Sequence, residues 1–127
     1  TPPMNFLEGQ VEDREAGVFI VGDGFALQLG AEKAHAVHQL KDRKVTLGIR
    51  PSDLRYAPEA APERALDLDV LVSEYVGAQS VLLCNRGDAK VMVEVQSETP
   101  VALGQTLRFG LNPNGIHLFD RETDAAI

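Results

Sequence analysis

Alternation of apolar and polar residues with a period of two constrains this chain more than any other feature of its sequence. In residues 66–72, four apolar side chains share one parity, and Asp67 and Asp69 occupy the other. This pattern predicts a strand with one face in the core and one face in water, and it places Val72 on the core face. Similar short runs recur along the chain.

Turn signals divide these runs into eight or nine short strands. Gly22-Asp23-Gly24 predicts a hairpin turn, because Asp-Gly supplies the positive φ that tight turns require. Only residues 31–40 have a helix-like spacing. An all-β fold is therefore expected, a small barrel or sandwich with at most one short helix. The predicted strands are 6–11, 18–21, 25–29, 44–49, 66–72, 79–84, 90–95, 106–111 and 116–119.

The segment 55–64 is rich in Pro, Ala and charged residues, which is typical of an exposed connector. We therefore predict two lobes, residues 1–57 and 65–127, within one domain of 127 residues. The chain starts at Thr1 without an initiator Met and enters a strand pattern at once. We expect it to be part of a longer protein.

The charge balance limits the classes of partner. Twelve Lys and Arg against 19 Asp and Glu give a net charge of −7, which repels phosphate backbones, so nucleic-acid binding is not expected. The single cysteine, Cys84, lies in an apolar run and is expected to be buried and unreactive. The sequence contains neither a membrane-length apolar stretch nor a signal peptide, and a cytoplasmic location is the expectation.

Catalytic and metal motifs are missing from the sequence. It has no phosphate loop and no nucleophile elbow, and no carboxylate pair can be assigned as acid and base. His35 and His38 would share a helix face, but a zinc site needs three or four ligands, so we expect no metal site there. Arg86-Gly87-Asp88 is interpreted as a turn rather than an adhesion motif. These 127 residues are therefore expected not to be an enzyme and to bind no cofactor.

Three ordered motifs together resemble one family, and Ser73-Glu74-Tyr75-Val76-Gly77 also fits it. The chain resembles the C-terminal regulatory region, an OB-like and TOBE region, of the ATP-binding subunits of bacterial carbohydrate ABC importers, typified by the maltose and glycerol-3-phosphate systems. The resemblance spans essentially the whole chain. The motifs are Pro2-Pro3-Met4-Asn5-Phe6, Gly48-Ile49-Arg50-Pro51, and Gly110-Leu111-Asn112-Pro113 followed by His117-Leu118-Phe119-Asp120.

The resemblance implies an OB-like β-barrel of two lobes, appended to an ATPase domain that would bind ATP and Mg in the parent subunit. It further implies pairing with a second copy of the subunit, contact with the subunit's own ATPase domain, and indirect contact with the membrane permease subunits. In some members cytoplasmic regulators bind as well. The implied location is cytoplasmic, on the inner face of the membrane. The solute cannot be named from this sequence.

The resemblance and local chemistry nominate two sets of site residues. Arg50 is expected to pin backbone carbonyls or a carboxylate near the strand exit through its guanidinium, and contact with the ATPase domain or a regulator is the alternative. Pro51 is expected to end its strand because it lacks an N–H. Candidate contacts with a second copy or a regulator are Gly110, Leu111, Asn112, Pro113, His117, Leu118 and Phe119, of which Leu118 and Phe119 are equally plausible core residues.

This sequence departs from the family at Ser52-Asp53, where Glu-His is common, and at Ala78-Gln79, where an acidic residue is frequent. Two other functions remain open. One is a TOBE module that binds a small oxyanion such as molybdate, although no Lys/Arg cluster supports it. The other is an RNA-binding OB module, which the acidic charge and the scarcity of aromatic residues disfavour.

Overall fold

Ten strands and one short helix make up the part of the chain that the computed structural model describes, residues 3–40 and 42–127. All strand pairs are antiparallel. The elements are β1 (Asn5–Arg14), β2 (Gly17–Gly22), β3 (Phe25–Gln28), α1 (Ala31–Val37), β4 (Lys44–Ile49), β5 (Leu54–Tyr56), β6 (Ala65–Val76), β7 (Gln79–Arg86), β8 (Ala89–Gln96), β9 (Thr106–Leu111) and β10 (Ile116–Asp120).

The strands form two five-stranded sheets, with the orders β10-β4-β1-β2-β3 and β5-β9-β6-β7-β8. Buried apolar side chains from both sheets, including Leu47, Leu66 and Phe109, form one continuous core. The predicted all-β OB-like fold with at most one short helix is confirmed, and the helix ends at Val37 rather than at residue 40. Among the described residues, no helix is both long enough and apolar enough to cross a membrane.

The sheets exchange strands across the lobes predicted from sequence. β10 comes from the C-terminal half but pairs with β4, with Ile116 opposite Ile49. β5 follows the N-terminal strands but pairs with β9, with Leu54 opposite Leu111. The sheets therefore do not follow the boundaries 1–57 and 65–127. The pairings of β4 with β10 and of β9 with β5 are long-range, and local turn signals carry no information about them.

The connector is fixed to the second sheet rather than free. Arg108 donates from Nη1 to the Ala60 carbonyl at 2.9 Å, and the Ala57 amide donates to the Arg108 carbonyl at 3.0 Å. A 3-10 turn, Pro62–Arg64, then leads into β6 and packs against β3. The predicted connector 55–64 thus overlaps β5 and covers an edge of the first sheet.

A β-bulge in β6 corrects the predicted orientation of Val72. The pairing of β6 with β7 shifts between Val70 and Val72, so Leu71 is an additional residue in the strand. Val70 remains in the core, whereas Val72 lies on the outer face and is exposed. One inserted residue reverses the direction of every following side chain, which a regular period-two pattern cannot anticipate.

Candidate interaction surfaces

Residues from all three family motifs meet on the outer face of the first sheet. Phe6 and His117 lie on either side of Gly48 in the strand register. An ideal Cβ on Gly48 would lie 2.6 Å from the Sδ of Met4 and 3.0 Å from the Cε2 of Phe119, so the glycine leaves room for these side chains. Phe6 and Phe119 make an edge-to-face pair, with ring centroids 6.0 Å apart. Pro2 lies outside the described residues.

The candidates on β10 have different surroundings. Leu118 is 1% exposed and belongs to the core, so its side chain contacts its own sheets and is not available to a partner. Phe119 and His117 are half-buried on the outer face, and no hydrogen-bond partner for the buried Nε2 of His117 is present among the described residues. Of the three, His117 and Phe119 can contribute to a surface that other proteins reach.

The stretch after β9 forms a turn that packs on Asp53. The Asn112 side chain caps the 3-10 turn Pro113–Gly115 by accepting from the Asn114 amide at 3.1 Å. Its Nδ2 donates to Asp53 Oδ1 at 3.1 Å, and its backbone amide donates to the Asp53 carbonyl at 3.0 Å. At Gly115 an ideal Cβ would lie 2.6 Å from the Asp53 Cβ. The unusual Asp53 therefore holds this turn in place.

An apolar groove of about 320 Å³ lies beside this turn. Leu111 and Pro113 line it, and Gly110 is buried behind them, where a Cβ would lie 3.2 Å from that of Ala57. We call this site the β9 groove. The residues that line it are Gln28, Leu29, Gly30, Glu63, Arg64, Leu111, Pro113 and Ile116.

The pin predicted for Arg50 is not observed. Arg50 is exposed, and its guanidinium makes no hydrogen bond or ion pair within residues 3–40 and 42–127. Only its carbonyl takes part, by accepting from the Asp53 amide at 2.9 Å. Pro51 is buried and starts a 3-10 turn directly after β4. An Arg at the strand exit indicates a cation but does not determine which partner the flexible side chain reaches.

Two arginines hold backbone groups although no sequence motif indicated either of them. Arg108 donates to both carboxylate oxygens of Asp67, at 2.9 and 3.1 Å. This hydrogen bonding holds the pKa of Asp67 below its usual value and raises that of Arg108. The Arg121 guanidinium donates to the carbonyls of Gly9 and Val45 and so joins β1 to β4. Both arginines therefore stabilise the sheets.

Asn5 is a further residue whose role was missed. It is 7% exposed, donates to the Met92 carbonyl at 2.8 Å and accepts from the Met92 amide at 2.8 Å. The amide side chain thus pairs with β8 as a strand would and links the two sheets. One signal was available, because Asn5 shares the buried parity of Leu7 and Val11, where a polar side chain needs a hydrogen-bond partner.

Metal-binding groups and the reactivity of the single cysteine can be examined in the described residues. No group of three His, Cys, Asp or Glu side chains in them could hold a metal ion. Cys84 is buried in β7, and burial, with a contribution from the charge of Asp69, raises its pKa to about 12. A thiol that is not ionised near neutral pH is a poor nucleophile. Cys84 is therefore not a candidate nucleophile.

Comparisons with known proteins cover the whole chain. A MalK OB fold domain model matches residues 1–54, and a TOBE domain model matches residues 47–119. The sn-glycerol-3-phosphate import ATP-binding protein UgpC of Escherichia coli O157:H7 is 34% identical over 123 residues, 97% of this chain and 33% of that protein. The multiple sugar-binding transport ATP-binding protein MsmK of Streptococcus mutans serotype c is 28% identical over 132 residues, 100% of this chain and 34% of that protein. The chain thus spans about a third of the length of these relatives.

A solved structure shares the fold at low sequence identity. The cytoplasmic molybdate-binding protein ModG, with molybdate bound, has a TM-score of 0.68 and 14% identity, covering 93% of this chain and 96% of that chain. Neither matched domain model is an ATPase domain, in agreement with a non-catalytic region. Since the TOBE model covers more than half of the sequence and the OB model precedes it, the chain belongs to the OB and TOBE family of domains in the ATP-binding subunits of carbohydrate importers.

Proposed function

We propose that this chain is the dimerisation and regulatory region of the ATP-binding subunit of a bacterial ABC importer for sugars or glycerol-3-phosphate. The observation that carries the proposal is the match to importer ATP-binding proteins over 97% of the chain, with the OB and TOBE domain models in order. The region would keep two ATPase domains close while they separate during the ATP cycle. A permanent contact makes their re-closure nearly intramolecular.

The structure supports a scaffold of this kind. Asn5 and the strand exchange of β5 and β10 join the two sheets firmly. The parent subunit would bind ATP and Mg in its ATPase domain, contact the permease subunits, and lie on the cytoplasmic face of the membrane. The outer-face surface formed by Met4, Phe6, His117 and Phe119 would be available to the ATPase domain or to a regulator.

A deletion in the parent subunit tests this function. Without residues 1–127, the ATPase domains are expected to associate with ATP and to separate once ATP is hydrolysed. The intact subunit is expected to stay dimeric in both states. Light scattering of the purified subunit with ATP and with ADP measures this. A subunit that lacks the region and yet remains dimeric with ADP would contradict the proposal.

The oxyanion-binding alternative can be tested separately. The likeness to ModG shows the fold alone. Five arginines of the described residues are paired with carboxylates, namely Arg14, Arg43, Arg55, Arg108 and Arg121. Calorimetry of the purified chain with molybdate, tungstate and sulfate is expected to show no heat of binding. A saturable signal in the micromolar range would favour the oxyanion-binding module instead.

A further inference from the structure

A cavity of about 440 Å³ lies where the two sheets meet, between β3 and the start of β6. Ala26 and Gln28 line it from β3, and Ala65 and Asp67 line it from β6. We call it the seam cavity. Small-molecule sites usually have volumes of about 300–1,000 Å³, so the seam cavity is large enough for a molecule of monosaccharide size.

The free edge of β3 presents unpaired backbone groups to the seam cavity. Leu29 donates its amide to the Val18 carbonyl, on the side of β3 that pairs with β2. Because successive residues of an antiparallel strand alternate between its two sides, Leu27 also faces β2, whereas Ala26 and Gln28 face the free edge. The backbone N–H and C=O groups of Ala26 and Gln28 make no hydrogen bond within residues 3–40 and 42–127.

The first residues of β6 form a second unpaired edge, opposite β3. The pairing of β6 with β7 starts only at Asp69, so residues 65–68 have a strand neighbour on one side, β9. Arg86 Nη1 donates to the Asp67 carbonyl at 2.7 Å from the open side, and by the same alternation Ala65 also faces that side. In the described part of the chain, no hydrogen bond is made by the backbone groups of Ala65 or by the Asp67 amide. Both edges thus offer N–H donors and C=O acceptors to whatever occupies the cavity.

Aromatic and charged side chains complete the walls of the seam cavity. Phe19 and Phe25 line it, and the Arg14 guanidinium carbon lies 4.8 Å from the centroid of the Phe19 ring. Glu63 is half-buried beside it and makes no ion pair or hydrogen bond among the described residues. Asp67 is already paired with Arg108. The free polar side-chain group at the cavity is therefore an acceptor, the carboxylate of Glu63.

This mixture of donors and acceptors selects the class of ligand. An anion only accepts hydrogen bonds, so it would leave the C=O groups unpaired and would lie beside the carboxylates of Glu63 and Asp67. An ammonium group only donates and would leave the N–H groups unpaired. A hydroxyl group both donates and accepts, so a molecule with several hydroxyl groups can satisfy both edges at once.

An extended peptide would also supply donors and acceptors, but the edge of β3 is poorly suited to it. β3 has four residues, of which only Ala26 and Gln28 face the edge. The 3-10 turn Pro62–Arg64 packs against β3 and covers part of this edge. A compact ligand fits beside that turn, whereas a continuous strand needs a longer open edge.

We propose that the seam cavity binds a neutral polyol of up to monosaccharide size. Hydroxyl groups of the polyol accept from the amides of Ala26 and Gln28 and donate to the Ala65 carbonyl and to Glu63, and its C–H groups pack against the ring of Phe19 or Phe25. The polyol thereby bridges two strand edges that no backbone pairing joins. This site does not depend on the importer role proposed above, and its test leaves that role undecided.

Amide chemical shifts in a titration of the purified, nitrogen-15-labelled chain measure the binding. With D-glucose and with glycerol, saturable shifts are expected at the amides of Ala26, Gln28, Ala65 and Asp67. The dissociation constant of at least one of the two polyols is expected to be about 10 mM or lower. Shifts that fail to saturate with both polyols, or that are spread evenly over the surface, would overturn the proposal.

Variants with matched controls show whether the shifts arise in the seam cavity. Ala26→Leu fills the cavity and is expected to weaken glucose binding at least about tenfold, whereas Ala102→Leu makes the same change at an exposed position and leaves binding unchanged. Glu63→Gln keeps the shape but loses a charge-assisted hydrogen bond, so binding is expected to weaken about three- to tenfold. Glu59→Gln, an exposed change on the same connector, is its control. Wild-type affinity in both Ala26→Leu and Glu63→Gln would contradict the proposed site.

Sulfate and a trialanine peptide with blocked ends test the other ligand classes. Neither is expected to shift the amides of Ala26, Gln28, Ala65 and Asp67. Saturable shifts with sulfate that Glu63→Gln strengthens would identify an anion site, because removal of a carboxylate favours an anion. Saturable shifts with the peptide but not with glucose would identify a strand edge that binds peptides. Either result would overturn the polyol site.

Discussion

The two hydrogen bonds between Asn5 and Met92 should contribute substantially to the free energy of unfolding, because they link the two sheets. In Asn5→Ala, both hydrogen bonds to Met92 are lost, and the amide and carbonyl of Met92 are left without these partners. Each lost hydrogen bond removes about 0.5–1.5 kcal/mol, and unpaired buried groups add to this, so we expect a loss of about 2–4 kcal/mol. This is a substantial part of the roughly 5–15 kcal/mol by which a domain is usually stable.

Urea denaturation measures the effect directly. A slope of about 2 kcal/mol per molar urea, in the middle of the range of small proteins, converts the expected loss into a fall of the midpoint by about 1–2 M. Asn5→Asp is the informative companion, because a carboxylate can accept from the Met92 amide but has no proton for the Met92 carbonyl at neutral pH. It is expected to be destabilised as well, despite its nearly identical shape.

Gln10→Ala is the matched control, since Gln10 lies on the same strand but is exposed. Its free energy of unfolding is expected to change by less than about 0.5 kcal/mol. The reasoning fails if Asn5→Ala is as mild as this control. It also fails if Asn5→Asp matches the wild type at pH 7, because the two-way pairing with Met92 would then be unimportant.

Three further substitutions or measurements examine other contacts. Gly115→Ala should lose about 1–3 kcal/mol in urea denaturation, because its Cβ would overlap the Asp53 side chain, and a loss below 0.5 kcal/mol would contradict that packing. Cys84, with its raised pKa, should react with an aromatic disulfide at pH 8 at least about 100-fold more slowly in the native state than in urea, and comparable rates would refute its burial. Asp67→Asn should cost less than about 1 kcal/mol at pH 7, since half-exposed ion pairs contribute little. The pairing with Arg108 lowers the pKa of Asp67 in the folded state, so the ion pair stabilises the fold above about pH 4 and this stabilisation is lost as the pH falls through the lowered pKa. The urea midpoints of the variant and the wild type should therefore converge in acid. A constant difference down to pH 2 would contradict the pairing.

The strands of this fold could be predicted from sequence because their signals are local. Alternating burial in β1, for example, follows the parity of Leu7 and Val11 against Phe6 and Glu8. The bulge at Leu71 could not be predicted, since it depends on how β6 pairs with β7 and leaves no distinctive residue behind. The pairing of β10 with β4 joins segments about 70 residues apart, and turn chemistry does not encode such distances.

Among the site residues, the roles that depend on backbone geometry could be predicted from the sequence. Pro51 ends β4 as its chemistry requires, and Gly48 permits a close approach of Met4. The side chain of Arg50 could not be placed, because a long flexible cation reaches whichever partner the tertiary structure provides. In the described residues, backbone carbonyls accept instead from four other arginines, which have no motif of their own: Arg43, Arg86, Arg108 and Arg121.

The strand exchange joins the two matched domains through one sheet and one core. The OB and TOBE models overlap over residues 47–54, and β10, which lies largely within the TOBE match, belongs to the sheet built by the OB match. The first sheet is incomplete without this strand, whereas the five strands of the second sheet all lie within the TOBE match. A hinge between them would widen the range of distances between two tethered ATPase domains and so lower their effective concentration. A fused two-sheet body therefore suits the proposed tether better than two flexibly linked domains would.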